Sequence, residues 1–323
     1  MLIDTTQVKD YLQCPRKYYY RHILGYVNKV ANHDLWFGIS VHRYFEYIHD
    51  NLIRTTRRFD PSEKLLEEAY EVFVCTYREQ YTADMDEIFY PKEPANARRI
   101  LNDYWACATW LRDWQITYSE IAGKLEAKDF TLAFRIDSIL TDPTTGEMVV
   151  REIKTSAMDP HSWERQFSFD LQVMSYSTVL RSLSDGRYDR VIVDGVFFHA
   201  PPRVKKDGSI YAQDMGKKAN HIVIVVPTSQ QLLDWYNTMK IVHRRINDGR
   251  ALEGEKQLRY FHQCQGFQCG GRRPCPYYEL CYNTNGLLSP EEFNQWGYVY
   301  DVWDPTNVSK PITVRVEDSE NVY

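Results

Sequence analysis

Apolar and aromatic residues recur at helical spacing through the first third of the chain. Residues 5–24 read as a helix opened by Thr5 or Thr6, its pattern running through Tyr11, Tyr18 and Leu24. Cys14-Pro15 falls inside that stretch, and a proline there predicts a break or kink. Residues 35–56, 61–83 and 94–116 also read as helices, with Asp60 as the cap of the second and Pro61 at its first position.

The period then changes. Between Gly123 and Lys154 lie three β-like runs, LEAKDFTLAF, FRIDSILT and EMVVREIK, the last two joined by the turn sequence Asp-Pro-Thr-Thr-Gly. A helix over about 164–183 follows, then apolar strands at 191–200 and 221–227 and a helix over 228–249. A loop dense in Cys, Gly and Pro (264–282) and a polar, acidic tail close the chain. This order predicts an α/β core preceded by a helical insertion.

Composition narrows the picture modestly. The 323 residues are 43% hydrophobic and 26% charged, an ordinary globular balance. No apolar run approaches the ~20 residues that span a bilayer, and MLIDTTQVKDYLQC lacks the basic-then-apolar pattern of a signal peptide. A soluble, cytoplasmic protein is expected. The net charge of −5 argues against a generally basic nucleic-acid coat, although an enzyme on nucleic acid need only be basic along its groove. Seven cysteines without a secretion signal read as metal ligands where they cluster. Cys75 and Cys107, alone in helical patterns, read as small buried hydrophobes.

Chemistry concentrates in Phe134-Arg135-Ile136-Asp137 and Arg151-Glu152-Ile153-Lys154. Strand side chains alternate, so Glu152 and Lys154 share a face while Ile153 points to the core. Asp137 on the adjacent antiparallel strand would bring two carboxylates and an ammonium together. Hard oxygen ligands of this kind suit Mg²⁺ or Mn²⁺. Read in isolation, Glu152 and Lys154 are more readily a surface ion pair.

Asp137 followed by Glu152-Ile153-Lys154 resembles the PD-(D/E)XK nuclease motif. Gln172 and Tyr176 resemble the Q-x-x-x-Y motif of RecB-like nucleases and CRISPR-associated iron–sulfur exonucleases, and Gly38 to His42 is similar to their first motif. The resemblance implies a restriction-endonuclease-like core, a mixed sheet flanked by helices. It further implies a catalytic set of Asp137, Glu152, Lys154, Gln172 and Tyr176, and metal ligation by His42, Asp137, Glu152 and Ile153. Glu126 takes a position often acidic in these enzymes and is expected beside the ligands rather than among them.

The cysteines Cys264, Cys269, Cys275 and Cys281 are separated by four, five and five residues, a loop suited to zinc or an iron–sulfur cluster. Cys14-Pro15-Arg16-Lys17-Tyr18 resembles the first-cysteine segment of RecB-like nucleases carrying a 4Fe–4S cluster, and Cys275-Pro276 to Cys281 resembles their last pair. The resemblance implies ligation by Cys14, Cys269, Cys275 and Cys281, with Cys264 as the alternative to Cys269. Zinc held by the four C-terminal cysteines is the alternative.

The chain is thus expected to divide into an N-terminal helix (1–30), a helical region with His42 (31–120), the nuclease core (121–250), the cysteine loop (251–285) and a tail (286–323). The function implied is a Mg²⁺- or Mn²⁺-dependent deoxyribonuclease acting on single-stranded ends or flaps of DNA. A catalytically silent nucleic-acid binding or assembly factor is the second reading. Recombination-type end processing, phage DNA metabolism and CRISPR spacer acquisition all use this architecture.

Overall fold

The computed structural model describes every residue except 31, 206, 208, 212–216, 265, 272–273, 303–311 and 317–323; much of the expected tail therefore lies outside the described residues. The chain opens with β1 (Leu2–Asp4), α1 (Thr5–Gln13), α2 (Pro15–Tyr18) running into a π-helical turn (Tyr19–Ile23), and β2 (Tyr26–Asn28). Then come α3 (His33–Arg54), α4 (Glu63–Arg78), α5 (Asp86–Phe89) and α6 (Pro94–Cys107). The long strands β3 (Gln115–Glu126), β4 (Thr131–Thr141) and β5 (Met148–Ser156) precede α7 (Pro160–Glu164), α8 (Leu171–Leu183), β6 (Val191–Phe197) and β7 (Asn220–Val225). The remainder comprises α9 (Ser229–Arg250), α10 (Gly254–Tyr260), α11 (Phe267–Gly270), α12 (Tyr278–Asn283), α13 (Pro290–Gln295), β8 (Tyr298–Tyr300) and β9 (Ile312–Arg315).

Two compact units emerge, Met1–Val30 with Ala122–Phe134 and Thr228–Tyr323, and Ala31–Ile121 with Arg135–Pro227. The second unit is a mixed sheet in the order β7-β6-β5-β4-β3, flanked by helices. β4 and β5 run antiparallel, β5 and β6 parallel, β6 and β7 antiparallel. In the first unit β1 runs parallel to β4 (Ile3 opposite Leu132), β9 runs parallel to β3, and β2 pairs with β8. No helix among the described residues is long and apolar enough to cross a membrane.

Several boundaries differ from those expected. Asp4, not Thr5 or Thr6, caps α1 by accepting from Gln7 N–H, and Ser62, not Asp60, caps α4. The break at Cys14 stands: its extended backbone closes α1 and opens α2 at Pro15. The helix read to 116 ends at Cys107; a 3₁₀ turn over Thr109–Asp113 keeps the buried spacing of Tyr104, Ala108 and Leu111 and so imitates a continued helix. The run LEAKDFTLAF is two strand ends around a tight turn, where Ala127 N–H donates to Phe130 O. The helix read over 164–183 is α7 and α8, separated by residues 165–170. Cys75 and Cys107 are exposed rather than buried.

The core of the second unit packs α3, α4 and α6 through Phe37, Phe45, Phe73 and Tyr104 against Val149, Ile153, Ile192 and Val196 of the sheet. An arginine sits within it. Arg151 is fully buried, donating to Asp194 Oδ2 at 2.8 Å and to Tyr104 Oη at 2.7 Å, with His49 Nε2 2.8 Å from its third nitrogen. Asp194 also accepts from Tyr104 at 2.5 Å and from Asn220 at 2.6 Å. The rings of Phe45 and Phe59 each lie 5.4 Å from the guanidinium. Burial, then the Arg151 charge, holds the His49 pKa well below its usual value, so His49 is neutral and accepts.

Breaking a buried ion pair by removing one member leaves an uncompensated charge and costs about 3–5 kcal/mol. Asp194→Ala is expected to lower the stability of the full chain by that order in urea unfolding, and Arg151→Met combined with Asp194→Leu to recover part of the loss. A loss below about 1 kcal/mol for Asp194→Ala would show that the network contributes little.

Candidate active site and metal centre

Residue 152 follows Arg151 on β5, so fixing Arg151 on one face turns Glu152 and Lys154 to the other. The backbone pairing of β4 with β5 reaches only to Ser138–Arg151. At the next amide a side chain replaces the ladder: Ile153 N–H donates to Asp137 Oδ2 at 2.7 Å. The second Asp137 oxygen faces His42 Nδ1 of α3 at 3.3 Å. Phe37 and Val41 of α3 are fully buried, which turns half-buried His42 toward the strand ends.

Lys154 Nζ donates to Glu152 Oε1 at 2.6 Å and to Gln172 Oε1 at 2.9 Å. Gln172 Nε2 donates to Tyr176 Oη at 2.7 Å, and Tyr176 donates in turn to the Arg135 carbonyl. Both residues lie on one face of α8, four apart, and Asp170 caps that helix through Gln172 N–H and Val173 N–H. The six residues expected from the motifs, His42, Asp137, Glu152, Lys154, Gln172 and Tyr176, are therefore brought together, and Ile153 joins them through its N–H.

One carboxylate was not foreseen. Glu120 of β3 joins His42 and Asp137 in a cluster whose ligand atoms all lie within 4.8 Å of one another. Arg135 Nε donates to Glu120 Oε2 at 2.6 Å. Glu120 has a φ of +47° inside a strand, a left-handed backbone that costs a non-glycine residue about 1–3 kcal/mol and is found where function demands an orientation. Glu126, expected near the site, instead pairs with Arg315 at 3.2 Å in the first unit. The available signal was Ile116-Thr117-Tyr118, a β-favouring run directly before Glu120 that the helical reading of 94–116 cut into.

Charge repulsion and burial make the cluster tense. Burial opposes ionisation of Asp137, but His42, Lys154 and the Ile153 N–H together hold its pKa down to about 2. Burial and then the Asp137 charge push Glu152 and Glu120 up to about 7. His42, although burial disfavours its charge, is raised to about 9 by Asp137. Glu152 Oε2 is buried without a hydrogen-bond partner among the described residues. Three carboxylates, an imidazole and an orphaned carboxylate oxygen suit a hard divalent cation, which would relieve both the repulsion and the missing bond.

The cysteines gather in the first unit. Cys14, Cys269, Cys275 and Cys281 line one cavity of about 230 Å³ with Lys17, Tyr277 and Tyr278. Arg16 holds this segment in place by donating to the carbonyls of Phe261 (2.8 Å) and Leu258 (2.9 Å). Cys264 does not line the cavity; its N–H donates to Cys14 Sγ at 3.3 Å, and Cys269 Sγ donates to its carbonyl at 2.9 Å. Burial raises the Cys275 and Cys281 thiol pKa values. Four sulfurs around one cavity, with an amide directed at one of them, fit a thiolate-ligated metal centre.

No curated protein matches this chain. A family model for the PD-(D/E)XK nuclease superfamily does match, over residues 5–282, a span that takes in every motif of the site and all the clustered cysteines. The chain belongs to the PD-(D/E)XK nuclease superfamily.

Proposed function

We propose that the protein is a divalent-metal-dependent deoxyribonuclease of the RecB-like type, an exonuclease that hydrolyses phosphodiester bonds at single-stranded DNA ends or flaps. Members of the superfamily are usually hydrolytic nucleases that use divalent metals. The observation that carries the reading is the convergence of His42, Glu120 and Asp137 beside a Glu152 whose buried Oε2 lacks a partner among the described residues.

His42, Asp137 and Glu152 would hold the ion, with Glu120 as a further ligand. A bound Mg²⁺ or Mn²⁺ supplies two things, a lowered pKa for a coordinated water and charge stabilisation at the phosphate. Lys154 is held by Glu152 on one side and Gln172 on the other, so its ammonium has a set direction and meets negative charge building on the phosphate. Tyr176 fixes Gln172, and through the Arg135 carbonyl it ties α8 to β4. In the first unit, Cys14, Cys269, Cys275 and Cys281 would hold a 4Fe–4S cluster. The cavity they share supports that set over one that includes Cys264.

Cleavage of a single-stranded oligonucleotide should require Mg²⁺ or Mn²⁺, and Asp137→Ala or Lys154→Ala should each lower the rate by at least about 100-fold. Variants that cut as fast as the wild type would remove the assignment.

Metal binding should release protons. Free His42 is protonated below about 9, whereas a ligand must be neutral, so binding near pH 8 displaces its proton, and near pH 6 protons leave Glu152 and Glu120 as well. Apparent Mn²⁺ affinity should therefore rise with pH up to about 9. Calorimetry in two buffers of different ionisation heat reads the release, and none at pH 8 would contradict the ligand role of His42.

Anaerobically purified protein should be brown and contain iron and acid-labile sulfide, and Cys275→Ser should bleach it. A colourless protein containing zinc would replace the cluster with the alternative metal and leave the nuclease site untouched.

A further inference from the structure

The second unit also holds a cavity of about 640 Å³ that the hydrolytic chemistry does not use. It opens where the parallel strands β5 and β6 end, with Ala157 and Met158 just past β5 and Phe197 closing β6. Its size falls among small-ligand pockets, roughly 300–1,000 Å³, and the crevice outside the carboxyl ends of such strands is a recurrent ligand position.

Strand register locates this cavity relative to the active site. Lys154 pairs with Gly195, and Gly195 with His221. The three positions stand side by side on one face, so His221 lies two strand spacings, ~10 Å, from Lys154. Gly195 leaves the intervening position to aromatic rings. A Cβ there would come within 2.6 Å of Trp163 and Phe197, whose rings lie against the bare backbone. Along β5, Ala157 is three residues beyond Lys154, again ~10 Å away. Both separations place the cavity beside the active site, within reach of a strand bound there.

The walls divide by chemistry. Met158 is half-exposed and, with Phe197, makes an apolar side; exposed Lys217 and Lys218 make a cationic one, next to His221, whose Nε2 lies 3.1 Å from Glu164 Oε2. The acidic lining residue is turned to other work, since Asp159 accepts from Ser162 N–H at 3.0 Å as the cap of α7. Apolar surface for a base or sugar beside cations for a phosphate is the arrangement of single-strand binding grooves. We propose that this cavity is a nucleotide subsite, which takes one nucleotide of the substrate strand adjacent to the scissile bond, its phosphate on Lys217 and Lys218 and its apolar face on Met158. The proposal rests on the nuclease reading of the neighbouring site and names where its substrate strand runs.

The test uses the full chain in chelator, so that DNA stays intact, with a fluorescent single-stranded oligonucleotide carrying iododeoxyuridine near one end. Irradiation should crosslink the analogue to peptides containing Met158 or His221. Reversing both cations (Lys217→Glu with Lys218→Glu) should weaken binding by at least about five-fold and lower the slope of log Kd against log salt by about one to two. Met158→Ala, which leaves every charge in place, should weaken binding and reduce the crosslink without changing that slope. Crosslinks confined to other peptides, or an affinity of the double variant within about two-fold of wild type, would overturn the subsite. Cleavage of the same oligonucleotide with Mg²⁺ is scored separately. Crosslinking without cleavage removes the nuclease reading and keeps the subsite, whereas cleavage without the crosslink removes the subsite alone.

Discussion

The second unit depends on a charge in its core. Arg151 meets Asp194, Tyr104 and His49 with no exposure to water, and these partners come from β6, α6 and α3. Asn220 adds β7 through Asp194. An apolar residue at 151 would accept many arrangements of those neighbours, but a guanidinium with directed donors accepts few. Its geometric consequence falls on the next residue. With Arg151 locked inward, Glu152 and Lys154 face the other way, and a slip of one residue in β5 would bury both.

The same principle operates in reverse at the site. Inside the core, each charge has partners. Among His42, Glu120, Asp137 and Glu152, three carboxylates crowd one place, their charge shared by His42, Lys154 and Arg135, and one oxygen of Glu152 has no hydrogen-bond partner among the described residues. Glu120 even adopts a left-handed backbone within a strand. Crowded carboxylates, an orphaned acceptor and backbone strain in one place are unfavourable for folding alone and favourable for a cation.

In the first unit the constraint is one of chain length. Cys14 and Cys264 are 250 positions apart, yet a backbone N–H of one meets the sulfur of the other. Arg16 contributes by taking up carbonyls at the end of α10, where a helix leaves acceptors unpaired, and Phe261 packs its ring against Tyr11, Tyr18 and Tyr19. The aromatic run after Cys14 is thus a docking surface for the segment that leads into the cysteine loop.

Local chemistry was legible in the sequence wherever it rests on period or spacing. Alternation put Glu152 and Lys154 on one side of a strand, four-residue spacing aligned Gln172 with Tyr176, and proline after Cys14 broke the first helix, because each follows from backbone geometry within a few residues. An α/β core followed from the order of such segments, and the mixed sheet flanked by helices from the resemblance of the motifs. Glu120 was not legible, since its place depends on where α6 stops and on a backbone angle that only neighbouring strands enforce. Nor was the role of Arg151: alternation puts it on the core face with Ile153, but its partners Asp194, Tyr104 and His49 come from segments far along the chain. Between Cys264 and Cys269 the resemblance favoured Cys269; the fold puts Cys269 on the shared cavity and turns Cys264 to hydrogen bonding with its neighbours. Sequence alone determined which residues could carry the chemistry, because identity and local period are encoded there. Tertiary structure decided which of them meet, because burial, partner and charge depend on segments far apart in the chain.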